Sequence, residues 1–133
     1  MNEMKKNLHF TIAELCRSNT AIKMGIDNTP TADVKMNLKR LIDNVLEPAR
    51  ELIDAPIFVN SGYRCPELNK IVGGVHNSQH CEGKAADITT RNPKLNKLLF
   101  SMIQDELDYD QLIWECGGLW IHVSYNNRKQ VIR

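Results

Sequence analysis

The chain has 133 residues, 42% of them hydrophobic and 25% charged, which fits one globular domain and excludes a disordered profile. Seventeen Lys and Arg against sixteen Asp and Glu leave a formal charge of +1, too small an excess to grip a nucleic-acid backbone, and 6% aromatics make no stacking platform. No apolar run reaches the roughly 7–15 residues of a secretory signal core or the roughly 20 of a membrane span, so the expectation is a chain made and kept in the cytoplasm, with no membrane partner.

In chain order, residues 1–9 read as a polar N-terminal extension and 10–133 as a single domain. Thr11-Ile12-Ala13-Glu14 has the T-x-x-E form of a helix cap and predicts a short helix to Cys16 or Arg17. Residues 18–30 are polar and broken by Gly25 and Pro30, which reads as a loop. Val34, Leu38, Leu41, Ile42, Val45, Ala49, Leu52 and Ile53 form one apolar stripe on a long helix from Thr31, with Pro48 predicting a kink or an early end near Leu46.

Ile57 to Asn60 reads as a strand, Pro66 opens a short helix through Ile71, and Gly73-Gly74 ends it. Val75 to Lys84 lacks any period and reads as a loop, followed by a buried strand at Ala85 to Ile88. Asn92 caps a second amphipathic helix that starts at Pro93 and carries Leu95, Leu98, Leu99, Met102, Ile103 and Leu107. Gln111 to Glu115 and Leu119 to Ser124, separated by Cys116-Gly117-Gly118, have the pattern of a hairpin. Helices first, then strands with an inserted helix, predict an α+β domain with a small antiparallel sheet. No heptad seam or long exposed apolar strand points to assembly, so a monomer is expected.

Cys16, Cys65, Cys81 and Cys116 form no CxxC pair, which excludes a zinc knuckle and a dense disulfide framework and reads as free thiols. The polar chemistry gathers instead at Ser78-Gln79-His80-Cys81-Glu82-Gly83-Lys84-Ala85-Ala86-Asp87. His80 and Asp87 are of the types that ligate Zn²⁺, and Gly83 between them allows the chain a tight return. A catalytic zinc takes three protein ligands and keeps a fourth position open. His122 is the natural third, because alternation along Trp120 to Ser124 sets Ile121 and Val123 toward a core and His122 toward something polar.

Together, Ser61-Gly62-Tyr63-Arg64, Leu68-Asn69, Val72-Gly73-Gly74, Ser78-x-His80-x-x-Gly83-x-Ala85-x-Asp87 and Trp120-Ile121-His122-Val123-Ser124 resemble the zinc D-Ala-D-Ala carboxypeptidase family. That family includes bacterial DD-carboxypeptidases, DD-dipeptidases and phage peptidoglycan endopeptidases, and the hedgehog signalling domain shares its fold. The resemblance runs in order from about Phe10 to the C-terminus. It implies that one Zn²⁺ per chain is held by His80, Asp87 and His122. It also implies that Arg64 binds a carboxylate or carbonyl of the substrate, with Ser78 as a second peptide contact or a loop cap. Tyr63 and Asn69 read as structural.

The sequence departs from the family at the acid of an E/D-x-x-H pattern, where it has Leu119. Glu115, at the end of the partner strand, is the best substitute for the catalytic base, as the hedgehog-like branch suggests. Asp108 and Asp110 are weaker alternatives. The implied activity is metal-assisted hydrolysis in the stem peptides of peptidoglycan, by a D-Ala-D-Ala carboxypeptidase or an endolysin-type endopeptidase of phage or prophage origin. Two other readings compete with it. One is a catalytically inactive zinc-binding recognition module of the same fold, favoured by Leu119. The other is a thiol-regulated domain, since Cys65, Cys81 and Cys116 adjoin the candidate site.

Overall fold

Side-chain caps open the first three helices in the computed structural model, which describes residues 8–126. Thr11 accepts from the Glu14 amide at the start of α1 (Ile12–Leu15), Ser18 from Ala21 before α2 (Asn19–Met24), and Thr31 from Val34 before α3 (Ala32–Leu41). Each hydroxyl satisfies an amide that the first helical turn leaves unpaired. Most of the expected N-terminal extension, residues 1–7, lies outside the described residues, as do residues 127–133. His9 is fastened by its ring to Glu47 at 3.0 Å, and the Phe10 amide donates to the same carboxylate at 2.9 Å.

The sequence reads residues 18–30 as loop, yet α2 forms within them. Ala21 is its one buried residue, so the apolar stripe that announces a helix is missing. The long helix does not end near Leu46. The irregularity expected there takes the form of one π-helical turn (Ile42–Leu46) that leads into α4 (Glu47–Ile53). Pro48 has no amide proton for the Asn44 carbonyl, and its ring crowds that carbonyl. The widened turn just before it absorbs the misfit. Leu52, counted in the apolar stripe, is 36% exposed, and Leu98 on the later helix is 47% exposed.

β1 (Phe58–Ser61) leads to α5 (Pro66–Ile71), a 3₁₀ turn (Gln79–Glu82) and β2 (Ala85–Thr89). α6 (Pro93–Glu106) follows, opened by Asn92, whose side chain accepts from the Lys94 and Leu95 amides. β3 (Leu112–Glu115) and β4 (Trp120–Ser124) close the described chain as a hairpin. The four strands form one antiparallel sheet in the order β1-β2-β4-β3, making the molecule an α+β fold.

Ala86, Ile88, Ile121 and Val123 are fully buried on one face of the sheet, in a core shared with Leu38 and Leu41 of α3 and Leu99 and Ile103 of α6. Each of these valine, leucine and isoleucine side chains contributes about 1.5–3 kcal/mol through burial. The opposite face carries a different row. Ser61 stands opposite Asp87, Asp87 opposite His122, and His122 opposite Ile113, one residue from each strand in a line across the sheet. Directly opposed residues share a face, so this row gathers polar chemistry where the core is not.

Candidate metal centre

His80 arrives at this row from the 3₁₀ turn. Ser78 starts the turn by accepting from the His80 amide at 3.1 Å, and Gly83 ends it with φ 75°. A Cβ at Gly83 would lie 2.8 Å from Val34 Cγ1, so the position demands both the left-handed backbone and the missing side chain. This is the tight return that delivers the chain to Asp87 on β2.

The three candidate ligands converge. Nitrogen atoms of His80 and His122 and a carboxylate oxygen of Asp87 all lie within 4.8 Å of one another. Asp87 Oδ1 is 3.3 Å from His80 Nε2 and 3.0 Å from His122 Nδ1, and the two rings meet edge to face with centroids 5.2 Å apart. His80 is buried, and Asp87 and His122 are largely so. Burial pushes the Asp87 carboxyl up, but hydrogen bonds from His122 and His80 and their charge outweigh it and hold the group well below the usual carboxylate range.

The donor set fits a zinc ion. His80 Nδ1 lies 2.7 Å from the Gly62 carbonyl, which can only accept, so this nitrogen carries the proton. The bond from His80 to Asp87 therefore needs a second ring proton, on Nε2; without that proton, Nε2 aims a lone pair at an anionic oxygen 3.3 Å away. Two acceptors facing each other call for a positive charge between them, and two imidazoles with one carboxylate are standard zinc ligands.

Arg64 lies beside this cluster. Its Nε donates to Asn69 Oδ1 at 3.0 Å, its Nη1 donates to Ser61 Oγ at 3.1 Å, and its backbone amide donates to the His80 carbonyl at 3.1 Å. The guanidinium is thereby oriented by Ser61, the residue opposite Asp87. Asn69, read from sequence as merely structural, is a buried clamp that also donates to the Val75 carbonyl at 3.0 Å.

Glu115 is half-buried and pairs with Trp120 across the hairpin, on the same face as His122 and one diagonal step from it. Leu119 is 59% exposed in the hairpin connection. Asp110 is buried and accepts from the Gln79 side chain at 2.7 Å, bracing the turn that carries His80.

Sequence reasoning missed the buried Asn96 on α6. Its Oδ1 accepts from the Thr90 amide at 2.8 Å and the Thr90 hydroxyl at 2.7 Å, and its Nδ2 donates to the Gly118 carbonyl at 2.7 Å. The signal that could have found it is an asparagine on the apolar side of an amphipathic helix. Asn28 was missed too. It donates to the Cys16 and Tyr63 carbonyls and accepts from the Cys65 amide at 2.7 Å, pinning the backbone on either side of Arg64.

Comparison with known proteins agrees with this geometry. The zinc D-Ala-D-Ala carboxypeptidase of Streptomyces albus G is 36% identical over 81 residues, which are 61% of this chain and 31% of that relative, so the match spans about a third of the relative's length. A family model described as peptidase M15 matches residues 8–124, nearly everything from the N-terminal fastening to the last strand, and the chain belongs to that family.

Proposed function

We propose that the protein is a zinc-dependent peptidase acting on the stem peptides of peptidoglycan, with His80, Asp87 and His122 holding one Zn²⁺. The convergence of these three side chains at the middle of the row across the sheet, beside an oriented arginine, carries the reading. Bound there, zinc supplies a Lewis acid that polarises the scissile carbonyl and makes water a better nucleophile at neutral pH. Glu115 takes the proton of the attacking water and passes it to the leaving amine. Arg64 donates to a substrate carboxylate or to the oxygen that gains charge, and Ser61 and Asn69 keep its fork from swinging away. Ser78 shapes the turn under His80. Action as an endolysin on the cell wall is part of the same proposal.

The test is amine release from purified peptidoglycan together with metal content, on wild type and Glu115→Gln. The expected result is about one zinc per chain in both, with hydrolysis reduced about a hundredfold or more in the variant. Full activity in the variant removes Glu115 as base. Zinc binding without hydrolysis by the wild type, at a centre where Leu119 replaces the usual acid, leaves a recognition module instead.

A further inference from the structure

The space beside Arg64 does not end at Arg64. A groove of about 610 Å³ is lined by all four residues of β1, an edge strand of the sheet, and its walls carry Arg17, Arg64 and Arg91. Arg91 is held in place by lying over the Phe58 ring at 3.6 Å, and its left-handed backbone at φ 67° is fixed by a hydrogen bond from its amide to Thr89 Oγ1 at 2.9 Å. Arg17 lies exposed just beyond α1.

The ion pairs among the described residues are those of Glu47, Asp43, Glu82 and Asp87, and none involves an arginine. Among the described residues, Glu14 is the one acidic residue in the groove wall. Three guanidiniums against one carboxylate among the described residues, in a concavity on a chain of net charge +1, concentrate positive potential there. Each planar fork is shaped to take a carboxylate through paired N–H donors. The groove volume falls in the range of sites that enclose small ligands, roughly 300–1,000 Å³.

We propose that Arg17 and Arg91 form a second carboxylate subsite beyond the one served by Arg64, so that the preferred substrate is a peptide with an additional acidic group along β1. This inference rests on the peptidase reading of the metal centre. The occupant is a peptide segment, because the groove is continuous with the residue that orients substrate and follows an extended strand.

The experiment measures calorimetric binding of synthetic peptides to the zinc-loaded protein, with the D-Ala-D-Ala bond N-methylated to resist cleavage. One pair carries Glu or Gln before that unit, and a second pair carries D-Asp or D-Asn after it. The expected result is that the acidic member of at least one pair binds about tenfold tighter at low salt. That advantage should fade toward unity in about 0.5 M NaCl. It should vanish in Arg17→Gln/Arg91→Gln and partly return in Arg17→Lys/Arg91→Lys. No acidic preference in either pair overturns the proposal, as does a preference that the double glutamine variant retains. Cleavage of the unmodified peptides by wild type is scored separately. Its absence counts against the peptidase reading, whereas the salt-sensitive preference reports on the groove alone.

Discussion

The Gly62 carbonyl accepts the Nδ1 proton of His80 at 2.7 Å, and that bond decides which ring nitrogen is left to face Asp87. Gly62 itself is wedged. A Cβ there would lie 2.2 Å from the Leu15 carbonyl oxygen, which also accepts from the Tyr63 amide at 2.7 Å. The end of α1 thus fixes a backbone carbonyl, and the carbonyl fixes an imidazole.

Gly62→Ala forces that backbone apart. Zinc affinity is expected to drop about ten- to a hundredfold, and stability by about 1–3 kcal/mol. Chelator competition and thermal melting read the two effects. Unchanged affinity alongside lowered stability breaks the proposed link between α1 and His80.

Metal removal is expected to destabilise the fold, because an ion that binds only the folded state adds about 4 kcal/mol at a thousandfold excess over its Kd. For a domain of this size that corresponds to a fall in Tm on the order of 10 °C after chelation. In His122→Ala the chelator should leave Tm nearly unchanged. An equal shift in both proteins places the metal elsewhere.

Asn96→Ala leaves the Thr90 amide and the Gly118 carbonyl without the partner that α6 provides. A loss of about 2–4 kcal/mol in denaturant unfolding is expected from two stranded buried groups. Hydrogen exchange should rise first at 116–119, the hairpin connection next to Glu115. A loss below about 0.5 kcal/mol means that water replaces the amide without cost.

The thiols separate by burial. Cys116 is exposed, whereas desolvation pushes the thiols of Cys16 and Cys81 above their ordinary pKa, more than Lys35 and Arg64 respectively pull them back. A raised pKa means less thiolate at a given pH, so alkylation at pH 8 should label Cys116 first. Labelling of Cys16 and Cys81 should still be accelerating above about pH 9. Mass spectrometry of a time course checks the order, and hydrolysis unaffected once Cys65, Cys81 and Cys116 are all alkylated removes the thiol-regulated reading.

Much of this was readable because single residues announce their own geometry. Asn92 and Pro93 open α6, Pro66 opens α5, and the alternation through Trp120 to Ser124 separates His122 from the buried Ile121 and Val123. The metal cluster was legible as residue types whose spacing matched a family. Their convergence was an expectation of that resemblance, and no local pattern shows the β2–β4 pairing of Asp87 with His122 that brings it about. α2 escaped because one buried alanine makes no stripe. Asn28, Asn69 and Asn96 escaped because each also bonds backbone groups that lie 12–37 residues away or are set by loop shape, which no local pattern encodes.

The π turn at Ile42–Leu46 has an evolutionary reading. A helix normally cannot gain or lose one residue, because everything beyond the change rotates by about 100°. Here one widened turn already holds a surplus residue, with Asp43 and Asn44 exposed on it. Deleting Asn44 alone presses the Pro48 ring onto a carbonyl, and replacing Pro48 alone leaves the surplus residue with no reason for its wide turn. Made together, the two changes restore a plain helix and keep Leu38, Ala49 and Ile53 facing the core. The proline and the extra residue are therefore a coupled pair, each a defect without the other, and related chains are expected to carry both or neither.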